Sequence, residues 1–276
     1  MKRICILLVL ALLLTGCTVF RQQSNVQPSR LPDVLATRPT APPATVPPTA
    51  QPEETTVPPT TQPEETEPLH SEFYIPGLSV EDVIRYFNEV CLDAEFSEGG
   101  NASLVQKWDD TIFYQIHGEC TEEDLAMLEN FMAWLNEIEG FPGFEETDQA
   151  AITDLNIYFC TEQEMLDHLG DNFYGCDGGV TFWYDGNNVI YEAIICYRRD
   201  LNQHVRNSVI LEEIYNGLGP VQDTWLREDS IIYAGYSEPQ ALTEIDRLIL
   251  RLLYHPMIRC GMNSEECEAV IRQLYY

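Results

Sequence analysis

From Ser79 onward the spacing of apolar residues changes period several times, and each change marks an element. Ser79-Val80-Glu81-Asp82 reads as a capping box, opening a helix whose apolar stripe is Val83, Ile84, Phe87, Val90 and Cys91. Alternation between Trp108 and His117, with Ile112, Tyr114 and Ile116 on one side, predicts a strand. Thr121-Glu122-Glu123-Asp124 caps a second helix carrying Leu125, Leu128, Phe131, Met132 and Leu135, which Gly140 to Gly143 breaks. Ala151 to Cys160 reads as a strand, Thr161 caps a short helix ending at Gly170, and a glycine-rich loop follows from Asp171 to Gly179. Val180 to Tyr184 and Val189 to Tyr197 flank Asp185-Gly186-Asn187-Asn188, a hairpin signal. The next helix starts near Asn202 with the stripe Val205, Val209, Ile210, Ile214 and Leu218, and Gly219-Pro220 stops it. Ser230-Ile231-Ile232-Tyr233 is a short apolar turn or strand. Thr243-Glu244-Ile245-Asp246 caps another helix, and Ser264 opens the last. The order predicts one α+β domain over residues 71–276, a mixed or antiparallel sheet packed on helices.

The preceding residues carry a different pattern. Lys2 and Arg3 followed by the apolar run Ile4 to Leu14 read as a secretory signal over residues 1–16, too short to favour a spanning helix. Leu14-Thr15-Gly16-Cys17 has the form of a bacterial lipobox, which predicts cleavage before Cys17 and acylation of that cysteine. A membrane partner is therefore expected through the lipid on Cys17, with the chain on the extracytoplasmic face. Residues 17–70 are dominated by proline and threonine, and Thr45 to Thr55 is nearly repeated as Thr56 to Thr66. So few apolar side chains cannot offset the ordering entropy, so the segment is expected to be an unfolded spacer. An extended Pro-rich chain rises about 3.1 Å per residue and would reach on the order of 100 Å.

Charge narrows the partners. The chain stands at −30, with lysine only at positions 2 and 107, and phosphate backbones need clustered basic residues, so nucleic acid is excluded. No G-x-G-x-x-G or P-loop pattern accompanies the glycines. After Cys5 and Cys17, seven cysteines remain, without a C-x-x-C pair that would suggest structural zinc. Cys260 with Cys267 is the expected close disulfide in an exported protein.

Candidate chemistry centres on Glu212-Glu213-Ile214-Tyr215-Asn216-Gly217-Leu218-Gly219. These residues end an amphipathic helix, and their order resembles the His-Glu-x-x-His-x-x-Gly-x-x-His helix of zinc peptidases. Glu213 and Gly219 match that pattern, whereas Glu212, Asn216 and Gln222 stand where the three metal-binding histidines would be. Downstream, Ser230-Ile231-Ile232-Tyr233-Ala234-Gly235-Tyr236 is similar to the methionine turn of matrixin-type metzincins, with Ile232 in place of the methionine. Leu242-Thr243-x-x-Asp246 through Tyr254-His255-Pro256 to Gly261-Met262 resembles the bacterial family called Domain of Unknown Function 2927, as does the Glu-Glu helix. That resemblance spans Leu78 to about Met262 and implies a zincin-like, metallopeptidase-like fold; it brings no activity with it.

The altered residues set the functional expectation. Zinc hydrolases hold the metal with three protein ligands, usually including imidazoles, and leave one position open for water. Amide oxygens at Asn216 and Gln222 are poor zinc ligands, and Glu213 as general base would have no polarised water to activate. Glu212 and Glu213 form no acid–base dyad, because adjacent helical positions point about 100° apart. The expected function is a non-catalytic binding module at the cell surface, without a cofactor, whose old cleft takes an extracellular peptide or cell-wall component. The alternative is a metal-dependent hydrolase in which oxygens of Glu212, Asn216 and Gln222 or Asp223 hold calcium, magnesium or manganese. A structural lipoprotein whose domain uses no pocket is the third.

Overall fold

The computed structural model describes residues 19–23, 71–92 and 104–276. The expected signal peptide, Cys17 and most of the proline-rich stretch lie outside the described residues. Seven strands form one mixed sheet: β1 (Val19–Gln23), β2 (Lys107–Trp108), β3 (Ile112–Gly118), β4 (Phe144–Glu146), β5 (Leu155–Cys160), β6 (Gly178–Tyr184) and β7 (Val189–Arg198). Its order is β1-β6-β7-β5-β3-β4, and β2 pairs with β7. Among the described residues only the β6–β7 hairpin is antiparallel, and the other strand pairings are parallel. The antiparallel alternative is thereby corrected. α2 stands between β3 and β5 and α3 between β5 and β7, and a crossover of that kind returns the chain in parallel. Among the described residues the helices are α1 (Val80–Leu92), α2 (Glu122–Asn136), α3 (Glu162–Leu169), α4 (Gln203–Asn216), α5 (Glu244–Tyr254) and α6 (Ser264–Tyr275). None of the described helices is long and apolar enough to cross a membrane.

Local chemistry explains most boundaries. Thr121, Thr161, Thr243 and Asn263 each close a reciprocal capping box, with Asp or Glu three residues on reaching back to the cap amide. The strand expected from Trp108 to His117 is two, because Asp109-Asp110-Thr111 interrupts it. The strand expected from Ala151 starts only at Leu155, and β4 is too short to show a period. β1 falls inside the stretch read as spacer and adds to the sheet edge instead. In the hairpin, Asp185 accepts from the amides of Asn187 and Val189, and Asn188 takes φ 64°.

One sheet face is buried under the main core. Ile157, Phe159, Val180, Phe182, Ile195 and Tyr197 meet the stripes of α1, α2, α4, α5 and α6 there. The opposite face carries a smaller cluster of Cys160, Met165, Phe173 and Cys196 beneath α3. Cys260 and Cys267 are free thiols rather than the expected disulfide. Cys260 turns its Sγ to the Lys107 carbonyl at 3.5 Å, whereas Cys267 is wholly buried in α6. Lys107 is itself buried, and its Nζ donates to the carbonyls of Leu253 (2.9 Å) and Ile258 (2.6 Å) at the end of α5.

Candidate functional site

Helix α4 carries the octet and is clamped at both ends. At its start Asn202 accepts from Val205 N. One turn in, Arg206 donates to Asp124 Oδ1 (2.8 Å) and to the carbonyls of Arg199 (3.0 Å) and Leu201 (2.9 Å), joining α2, the β7–α4 loop and α4. Both partners are buried, Asp124 at 1% exposure. Burial alone would raise the Asp124 carboxyl, but the Arg206 guanidinium and the Thr121 and Gln203 donors outweigh it and hold the group below its usual range. At the other end the Trp108 indole donates to Gly217 O (2.9 Å) and the Tyr254 hydroxyl to Leu218 O (2.8 Å), satisfying carbonyls the helix leaves over. Gly219 at φ +123° lets the chain pass Gln106, whose carbonyl oxygen an added Cβ would meet at 2.3 Å.

The two adjacent glutamates face different surroundings. Glu212 is half-buried and lines a small cleft of ≈ 40 Å³. Glu213 has no exposure and packs beneath β6, where Gly178 makes room: a Cβ there would lie 2.5 Å from Val209 Cγ1 and 3.0 Å from Glu213 Cγ. The 100° step between neighbours expected from the sequence is what separates them. Asn216 is also fully buried, and neither its Oδ1 nor its Nδ2 has a hydrogen-bond partner among the described residues. Gln222 lies beyond the helix, where its backbone amide reaches Val90 O and its side chain donates to Asp223 O (3.3 Å). Of the residues singled out in the octet and at Gln222, only Glu212 reaches the cleft. Among the described residues no three His, Cys, Asp or Glu side chains are grouped closely enough to hold a metal ion.

Residues from two other segments close the cleft, and of these the sequence pointed only to Tyr233 and Tyr236. Cys176 and Asp177 enter from the loop before β6, and Ile231, Tyr233, Tyr236 and Glu238 from the segment after α4. No lysine or arginine lines it. Burial raises the Asp177 carboxyl despite the Arg198 guanidinium 3.9 Å away. The Tyr236 hydroxyl donates to Glu238, which raises the phenol, and Glu238 also meets His204 Nε2 at 3.2 Å. The exposed Trp225 stands edge-on to Tyr233, with ring centroids 5.5 Å apart. Loop side chains such as Asp177 and Glu238 leave no periodic signal in a sequence.

The two downstream motifs turn out to be one physical unit. Ser230 Oγ accepts from the Tyr86 hydroxyl (2.6 Å) and donates to Asp246 Oδ1 (2.7 Å). Asp246 also takes the Thr243 amide (2.9 Å) and the Ile231 amide (3.3 Å). The capping aspartate of α5 thus fixes the turn that brings Ile231 and Tyr233 to the cleft.

Residues 80–273 match a family described as a protein of unknown function (DUF2927). No curated protein matches the chain.

Proposed function

The chain belongs to the DUF2927 family, and from that premise we propose that it is a lipid-anchored extracytoplasmic protein whose zincin-like domain binds a ligand without cleaving it. The lipobox at Leu14 to Cys17 supports the anchor. The observation that carries the binding reading is the divergence of the glutamates: Glu212 faces the cleft, while Glu213, the position of a general base, has no exposure and lies under Gly178. A general base must come within about 3 Å of the proton it abstracts, directly or through one water. A carboxylate packed beneath β6 is not so placed for a nucleophile in the cleft.

The lining sets the ligand's chemistry. Asp177, Glu212 and Glu238 supply carboxylates and Tyr233 and Tyr236 supply ring faces; no lysine or arginine is among the lining residues, and Arg198 meets Asp177 at 3.9 Å from outside the lining. Such a surface favours an extended peptide bearing lysine or arginine, through charge complementarity and cation–π contact worth ~0.5–2 kcal/mol.

The test uses the full chain purified without chelator. A lysine-rich peptide should quench the fluorescence of Trp225 on binding, and Glu212→Gln or Tyr233→Ala should weaken that binding about tenfold, the equivalent of ~1.4 kcal/mol. The peptide should be recovered uncleaved. One equivalent of calcium, magnesium or manganese that disappears in Glu212→Ala, together with peptide turnover abolished by Glu213→Gln, would overturn the reading in favour of a metal-dependent hydrolase.

A further inference from the structure

The two edges of the sheet are built differently. At one edge β4 is three residues long and two of them are the exposed Glu145 and Glu146, the short and charged construction that discourages pairing with other strands. At the other end, β6 reads Gly178-Gly179-Val180-Thr181-Phe182-Trp183-Tyr184. It has no proline and no charge, and Val180 and Phe182 are fully buried. Left outermost, such a strand would present a row of amides and carbonyls on an aromatic, β-prone segment, a template for unwanted pairing. It is not outermost. β1 covers it in parallel register, from Val19 opposite Val180 to Gln23 opposite Tyr184.

The direction of that pairing has a consequence for the anchor. Because the strands run parallel, the start of β1 lies towards the Gly178 end of β6, and Gly175, Cys176 and Asp177 of the cleft immediately precede Gly178. Cys17 is two residues before Val19, a reach of at most about 7 Å.

We propose that Val19–Gln23 is a docking strand: it seats the acylated end of the chain on the outer edge of β6, so the domain rests against the membrane, cleft end foremost, rather than at the end of an extended spacer. The membrane half of this proposal rests on the acylation of Cys17 proposed above; the docking half does not. Residues 24–70 join the strand to the rest of the chain covalently, so its docking is an intramolecular event. The strand carries the anchor to a place that the linker alone could not specify.

Hydrogen exchange on the full chain tests the docking. Phe20→Pro together with Arg21→Pro replaces two successive residues, whose amides point to opposite sides of the strand, so a donor that faces β6 is lost and the pairing is blocked. The outward-facing amides among Val180–Tyr184 should then exchange at least tenfold faster, while those of β5 keep their protection and so report an intact fold. A synthetic peptide of residues 18–24 should restore protection in the variant. Unchanged exchange in β6 would overturn the proposal. Protection that depends on protein concentration would also overturn it, by showing that the strand comes from a second copy. On phosphatidylglycerol vesicles carrying a dansyl lipid, energy transfer from the domain's tryptophans should be at least twofold greater in the wild type than in the proline variant. Cys17→Ala should keep β6 protected but leave the vesicles. A wild-type chain that also ignores vesicles while keeping β6 protected would sink the anchoring reading and spare the docked strand.

Discussion

Asp124 shows how much one side chain contributes to holding the candidate site. It closes the capping box of α2 and receives Arg206 and Gln203 from α4, so its loss would free both helices at once. Removing one partner of a buried, hydrogen-bonded ion pair costs ~3–5 kcal/mol, because the other charge stays behind. Asp124→Asn should therefore lower stability at neutral pH by ~3 kcal/mol in urea denaturation. The folded-state pKa is depressed below 3.8, so the contribution is present above the unfolded value and is lost as pH falls through the folded one. The gap between wild type and variant should narrow below pH 3.8; a gap of constant size down to pH 2 would show that the carboxylate charge is not the source. Asn216 makes the opposite point. A buried amide without partners costs ~1–3 kcal/mol, and α4 holds Asn216 there without a hydrogen bond in the described structure.

Among elements, the decisive link joins α1, the Ser230 turn and α5. Tyr86, Ser230 and Asp246 form a buried chain of hydroxyl and carboxylate, and Tyr215 of α4 adds a hydrogen bond to Asp246 O at 3.2 Å. Desolvation raises the Asp246 carboxyl while Ser230 and Thr243 oppose that shift. Ser230→Ala would strand a phenol and a carboxylate together, and should cost ~2–3 kcal/mol. A double-mutant cycle with Tyr86→Phe should give a coupling energy of ~1 kcal/mol or more; additive losses would mean that the three groups do not act as a network. The ligand affinity of the cleft should fall with the same substitution, since Ile231 and Tyr233 ride on this turn.

For the whole molecule, the net charge of −30 acts on stability and on partner choice together. Like charges repel in the compact state, and salt screens them over a Debye length of about 10 Å at 0.1 M. Raising sodium chloride from about 10 mM to about 500 mM should therefore raise the urea midpoint of unfolding while weakening any basic peptide in the cleft. A midpoint that falls with salt would show instead that surface ion pairs such as Arg272 with Glu81 and Glu268 outweigh the repulsion.

The helices were legible in the sequence because their causes are local. A threonine with a carboxylate three residues on marks a start, a 3.6-residue apolar stripe marks the buried face, and the fixed 100° step between Glu212 and Glu213 sends them to different surroundings in any helix. The β6–β7 hairpin was legible for the same reason, from Asp185 to Asn188. Strand direction was not, since an alternating run such as Leu155–Cys160 looks alike in parallel and antiparallel sheets; the helical crossovers decide it. Nor was β1, five residues in a proline-rich stretch whose partner is the otherwise uncovered edge of β6. The cleft was half legible. Glu212, Tyr233 and Tyr236 lie on motifs, but Asp177 and Glu238 reach it from loops, and the site of Glu213 depends on Gly178 letting α4 approach the sheet. Local hydrogen bonding and periodicity are written residue by residue along the chain; which carboxylate meets solvent and which meets the sheet depends on contacts between residues far apart in it, and only the tertiary structure decides those.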